Sequence, residues 1–160
     1  MAASGRASRL LKAMDRLATK TTFDHGTVLS KVKLQSGENG TFQGTFTVDK
    51  TMCNMAGSLH GGYIASVIDV LSFYTQLSNT GSKLSWTTGM NVNYVGTAFD
   101  GDNVKVETKT LKVGSSSVVE TFFHNEKGNL LAKGTTTFLA GPDKYQKLIK
   151  LLLDFDVSEN

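Results

Sequence analysis

One stretch of this chain must be enclosed. It reads Tyr63-Ile64-Ala65-Ser66-Val67-Ile68-Asp69-Val70-Leu71-Ser72-Phe73-Tyr74, opening behind His60-Gly61-Gly62. Its apolar residues lie at nearly every helical heading, and a helix apolar all round is buried on most sides. The helix runs from His60 to about Ser78, where Asn79-Thr80-Gly81 supplies a stop. The sequence around it reads as strands. Residues 27–35 and 41–49 alternate and are rich in β-branched side chains, a hairpin turning at Ser36-Gly37-Glu38-Asn39-Gly40. Residues 50–59 lack periodicity and read as a loop. Four more strand signals cover residues 84–94, 103–113, 116–124 and 130–139, punctuated by Gly101-Asp102, Gly114 and residues 125–129. Short turns between successive strands predict an antiparallel meander. Strands, one helix, then strands give an α+β fold with the sheet curled around the helix, so that each apolar face finds cover.

The ends add two helices. In residues 1–25, Leu10, Leu11, Met14, Leu17 and Ala18 form an apolar face, while Arg6, Arg9, Lys12, Arg16 and Lys20 outnumber Asp15. That pattern fits a mitochondrial presequence and also an amphipathic helix covering a sheet; the expected compartment is cytoplasmic or mitochondrial. After Gly141-Pro142, residues 142–155 place Tyr145, Leu148, Ile149, Leu152 and Leu153 at helical spacing, a helix to dock on the domain or on a partner subunit. No repeat or linker divides the 160 residues, which read as one domain over 1–160. A net charge of +3 is too mild for a nucleic-acid protein. No apolar run reaches the ~18 residues of a membrane span. The single Cys53 excludes an intramolecular disulfide and points to a reducing compartment, and zinc-ligand spacing is absent, so no metal is expected. Asn39-Gly40-Thr41 matches a glycosylation sequon and is read as chance, there being no signal peptide in view.

The chemistry concentrates in the central helix. A carboxylate in a buried helix is costly unless paired or hydrogen-bonded, so Asp69 is a candidate base or nucleophile. Gly61 and Gly62 at the helix N-terminus offer backbone N–H groups to a polarised oxygen. Asp69 lies eight residues beyond Gly61, about 12 Å along an α-helix. Groups acting on one carbonyl must both sit within ~3 Å of the reacting atoms. Two antiparallel copies of the helix would bring Gly61 of one beside Asp69 of the other, which predicts at least a dimer. Asn54 has two readings, a partner for His60 or substrate, and a loop residue bonded to its own backbone. His60 reads as a helix cap or a site residue. Cys53 reads as packing, and Lys105, Lys109 and Lys112 as a solvated strand edge, with Lys105 and Lys109 on one face. No GxSxG elbow or Walker loop is present.

The run Asn54-Met55-Ala56-Gly57-Ser58-Leu59-His60-Gly61-Gly62, then Asp69 and Met90-Asn91-Val92-Asn93-Tyr94, resembles the hotdog-fold acyl-CoA thioesterases of the phenylacetate-thioesterase type. The resemblance implies a hotdog fold, homodimers often paired into homotetramers, and hydrolysis of acyl-CoA at sites across the dimer interface. Coenzyme A is then part of the substrate and no cofactor is needed. Carried over, Gly61 donates its N–H to the thioester carbonyl, Asn54 and His60 shape that pocket, and Asp69 of the facing subunit activates water or attacks directly. Thr87 stands where the family often has a water-binding serine. Two segments resemble those lining the coenzyme A channel: Tyr94, Val95, Gly96, Thr97, Ala98 and Phe99, and Lys112, Val113, Gly114, Ser115, Ser116 and Ser117. Ile64, Ile68 and Phe73 are candidates for an acyl tunnel or simply core. The chain departs from the family pattern at Thr97, often proline, at Gly89, often acidic, and in its longer final helix. Two rival readings keep the fold and change its role, to an acyl-CoA binding or sensing protein or to an enoyl-CoA hydratase or dehydratase.

Overall fold

The computed structural model describes residues 5–17, 19 and 22–153. Along the chain come α1 (Arg6–Leu17), a π-helical turn (Asp24–Leu29), β1 (Lys33–Glu38), β2 (Thr41–Thr47), α2 (Gly61–Leu77), β3 (Ser85–Tyr94), β4 (Asn103–Lys112), β5 (Ser116–Asn125), β6 (Leu130–Ala140) and α3 (Asp143–Leu153). One six-stranded antiparallel sheet, ordered β1-β2-β4-β5-β6-β3, curls around α2. This is the expected α+β arrangement. Val67, Ile68, Leu71 and Leu77 of α2 are fully enclosed. They face the inward side of strands that alternate buried and open, such as Val104 and Val106 on β4 and Val119 and Phe123 on β5. Farther along, helix and sheet meet through hydroxyls: Ser72 Oγ lies 3.1 Å from Thr121 Oγ1, and Thr75 bonds Thr108. Those polar groups satisfy one another inside the interface.

The helix seats closely on β6. A Cβ at Gly134 would stand 2.7 Å from Ile68 Cδ1 and 2.8 Å from its Cγ2. Gly134→Ala is expected to destabilise the fold by about 1–3 kcal/mol through overpacking, read as a lowered urea midpoint with an unchanged slope.

Three expectations are corrected. Residues 27–29, expected to start a strand, lie instead in the π-helical turn, and β1 begins at Lys33. The His25 ring bridges Thr22 Oγ1 and the Tyr74 hydroxyl and so ties this turn to α2, a tertiary contact that overrides the β-branched local sequence. The meander holds only for β4-β5-β6. β3 crosses to pair with β6 at the far edge, because α2 needs cover on both flanks. Lys105, Lys109 and Lys112 are exposed, Lys105 and Lys109 on the outer face of β4, but that strand lies inside the sheet rather than at its edge.

Of the helix expected over 1–25, α1 occupies Arg6–Leu17, and Ala18 and Lys20 fall outside the described residues. Its apolar residues Leu10, Met14 and Leu17 join the core, as a covering helix would. Arg6 is buried and donates through Nε to the Leu77 carbonyl at 3.1 Å and through Nη2 to Ser82 Oγ at 3.3 Å. It thereby meets the unsatisfied carbonyl end of α2, where a cation is favoured. α3 docks on its own domain: Gln146 bonds Leu84 N at 2.6 Å and the Gly141 carbonyl at 3.0 Å. Tyr145 packs edge-on against Trp86. Residues 154 and 155 of the expected final helix lie outside the described residues.

Candidate active site

α2 is enclosed except along one stripe. Gly62 is exposed, and Ala65, Ser66, Asp69 and Phe73 are half-buried, positions that fall on one helical face. Asp69 is therefore not the fully buried carboxylate that its apolar neighbours suggest. Its only protein partner among the described residues is Thr87, whose Oγ1 donates to Asp69 Oδ1 at 2.8 Å. The second oxygen, Oδ2, is left free to accept. A partnered, oriented carboxylate with one open oxygen is equipped to take a proton or to attack an electrophile.

Two pockets open on this carboxylate. One of about 250 Å³ is lined by Asp24, Val70, Phe73, Tyr74, Ser85 and Trp86 together with Asp69 and Thr87. The other, of about 370 Å³, adds Phe23, Ala65, Ser66 and Met90. Phe23 and Asp24 at the π-helical turn thus form a wall beside Asp69. Burial, with the charge of Asp24 nearby, pushes the Tyr74 phenol well above its ordinary range, so it stays protonated as a neutral wall of the pocket. Phe73 faces the first pocket, whereas Ile64 and Ile68 are core. The sequence carries a signal for Ser66, three residues before Asp69 on the same helical face. It carries a weaker one for Ser85 and Trp86, next to Thr87. It carries none for Phe23 and Asp24, which meet Asp69 only through the fold.

The other end of α2 presents the amides. His60 is the N-cap, and its Nδ1 accepts from Gly62 N at 2.7 Å. That bond places the lone pair on Nδ1 and the proton of the neutral ring on Nε2. Only one glycine amide is therefore bare: among the described residues the Gly61 N–H has no acceptor. Asn54 does not reach His60. Its Oδ1 accepts from Ala56 N at 2.9 Å and Ser58 N at 3.2 Å, and its Nδ2 donates to Ser58 Oγ at 2.8 Å. It shapes the loop that feeds the helix.

The two expected channel segments lie at opposite ends of α2. Leu59 N donates to the Ala98 carbonyl and the Tyr94 hydroxyl donates to the Gly61 carbonyl, so residues 94–99 border the amide end. Val95 and Gly96 are held by the Leu131 carbonyl, Phe99 N bonds Asp102, and Thr97 faces a surface hollow with Asp102 and Asn103. Lys112 ends β4, Val113, Gly114 and Ser115 make the turn, and Ser116 opens β5, beyond the C-terminal end of α2, where Thr110 meets Asn79. Ser117 points into the core and is buried. In a single chain, then, the Gly61 amide and residues 112–117 are a helix length apart.

A family model described as thioesterase superfamily matches residues 56–132. Over those residues the chain is similar to a thioesterase superfamily domain. It is 28% identical to acyl-coenzyme A thioesterase 13 of Homo sapiens over 112 residues, 69% of this chain and 80% of that protein. Its structure superposes on zebra fish thioesterase superfamily member 2 with a TM-score of 0.76 at 25% identity, covering 81% of this chain and 94% of that one. It also superposes on a Streptococcus mutans UA159 protein whose structure is bound to acetyl CoA, with a TM-score of 0.65 at 25% identity, covering 69% and 88%. The fold is accordingly the hotdog: α2 as the filling and the six-stranded sheet as the wrap.

Proposed function

We propose that this protein hydrolyses acyl-CoA thioesters to a free acid and coenzyme A at a site shared by two copies of the chain. The observation that carries the reading is the pairing of a bare Gly61 N–H at the N-terminus of α2 with a Thr87-oriented Asp69 on the one open stripe of the same helix. The thioester carbonyl accepts from Gly61, where the amide and the positive end of the helix favour the negative oxygen that forms on attack. Oδ2 of Asp69 from the facing copy takes a proton as water adds to the carbonyl carbon. The carbon–sulfur bond then breaks and the thiolate leaves with a proton. His60 and Asn54 hold the amide end in shape, and Thr87 orients Asp69.

The spacing supports a homodimer, in keeping with the free edge of the sheet. β3 is an edge strand, and it carries Trp86, Met90 and Tyr94 largely open to solvent. An antiparallel neighbour along β3 would cover that edge. It would also bring residues 112–117 of one copy toward residues 94–99 of the other, completing a channel for the nucleotide; pairing of such dimers gives the homotetramer. Among the described residues, no helix is long and apolar enough to cross a membrane. The reading places the protein with the acyl-CoA pools of the cytoplasm or mitochondria.

Thiol release and product mass across a panel of acyl-CoA chain lengths and aryl acyl groups test the reading. Free acid and coenzyme A in equal amounts are expected. Tight binding without thiol release would make this a binding or sensing protein. An enoyl substrate gaining the mass of water with its thioester intact would make it a hydratase.

A further inference from the structure

The glycine pair has a local cause that substrate approach does not supply. The peptide joining Gly61 to Gly62 is gripped at both polar atoms: its carbonyl accepts from the Tyr94 hydroxyl at 3.0 Å, and its N–H donates to His60 Nδ1 at 2.7 Å. Each glycine makes room for one of the gripping rings. A Cβ on Gly61 would lie 3.2 Å from Cε1 and Cζ of Tyr94, and a Cβ on Gly62 would lie 2.9 Å from His60 Nδ1. Tyr94 is 54% exposed, so core packing does not account for its position.

The strand has been adjusted to put it there. Side chains alternate along a strand, so Thr87 and Tyr94, at odd and even positions, belong on opposite faces of a regular β3. Both face α2, Thr87 bonding Asp69 and Tyr94 bonding Gly61. The register shift between Thr87 and Gly89 supplies the extra residue that reverses the alternation, a known use of β-bulges beside working sites.

We propose that Tyr94 is a positioning residue that, with His60, clamps the Gly61–Gly62 peptide and thereby fixes the direction of the neighbouring free Gly61 N–H toward the thioester carbonyl. The inference rests on the acyl-CoA reading above and assigns Tyr94 a part different from a wall of the nucleotide channel. The Gly61 N–H lies one peptide before the clamped plane. Its aim follows the Gly61 backbone, which both grips hold.

The test compares the wild type with Tyr94→Phe, which keeps the ring and loses the donor. Affinity is measured for coenzyme A and for a non-hydrolysable ketone analogue of acyl-CoA, in which a methylene replaces the sulfur and the carbonyl remains. Tyr94→Phe is expected to weaken the ketone analogue about 3–10-fold, the scale of one hydrogen bond, to leave coenzyme A binding unchanged, and to lower kcat/KM by at least the same factor. Gly61→Ala, which presses on the ring, is expected to cost activity beside Tyr94 and to cost far less in a Tyr94→Ala background. Equal weakening of coenzyme A and the ketone analogue would make Tyr94 a channel contact and overturn the clamp. So would fully additive effects of the two alanine variants. A wild type that releases no thiol from any acyl-CoA refutes the enzyme reading instead, a result separate from either.

Discussion

Asp69→Asn is expected to lower kcat by about 10²–10⁴-fold on every thioester the wild type cleaves. Asparagine has the shape of aspartate, and its amide oxygen can keep the bond that Thr87 donates to Oδ1 at 2.8 Å. What changes is the other atom. Oδ2, unpartnered among the described residues, becomes an NH₂ group that can neither accept a proton nor attack a carbonyl. The side chain is half-buried on the open stripe of α2 rather than sealed in the core, so the substitution leaves no orphaned polar group and Tm should hold. Steady-state thiol release at saturating substrate, with thermal unfolding of the same preparation, reads both quantities. More than a tenth of wild-type kcat in a folded Asp69→Asn protein would remove Asp69 from the chemistry.

The sequence made the enclosed helix legible because an all-round apolar pattern has one physical solution. It made the amide end legible because His60-Gly61-Gly62 is compact and the cap bond is local. The strands from Ser85 onward were legible to within a residue or so at each end, since turn glycines and asparagines mark their limits. The position of β3 was not. Strand order depends on which flank of α2 still needs cover, and no local pattern encodes that. The bulge was hidden for a related reason: it is a mismatch of register with β6, a property of two strands together. Residues 27–29 misled because Thr27, Val28 and Leu29 favour a strand locally, whereas the His25 contact with Tyr74 spans 49 residues. The Phe23–Asp24 wall was invisible on the same ground. Asn54 shows the limit of resemblance: the matching residue is present, yet every polar atom of its side chain is engaged by its own loop.

Gly61→Pro is expected to lower activity about 10²–10³-fold by removing a single N–H donor. Gly61 is the first residue of α2, a position where proline is favoured because its missing N–H has no helical partner. His60, at φ −69 and ψ 131, already has the extended backbone that a following proline requires. Among the described residues the Gly61 N–H makes no bond to lose, and the new Cβ presses on the Tyr94 ring at 3.2 Å just as in Gly61→Ala, whose smaller loss measures that part of the effect. A folded, inactive Gly61→Pro protein then supports a stronger test. Mixed with Asp69→Asn under subunit exchange, half the dimers are hybrids. Each hybrid has one site built from an intact Gly61 on one chain and an intact Asp69 on the other. About a quarter of wild-type activity should return if sites span the interface, from two proteins that are nearly inactive alone. Hybrids confirmed by native mass spectrometry but without activity would place both residues of each site on the same chain. That outcome would contradict the separation of about 12 Å that eight helical residues impose, and the site would then need a bend in α2 that its continuous helix does not have.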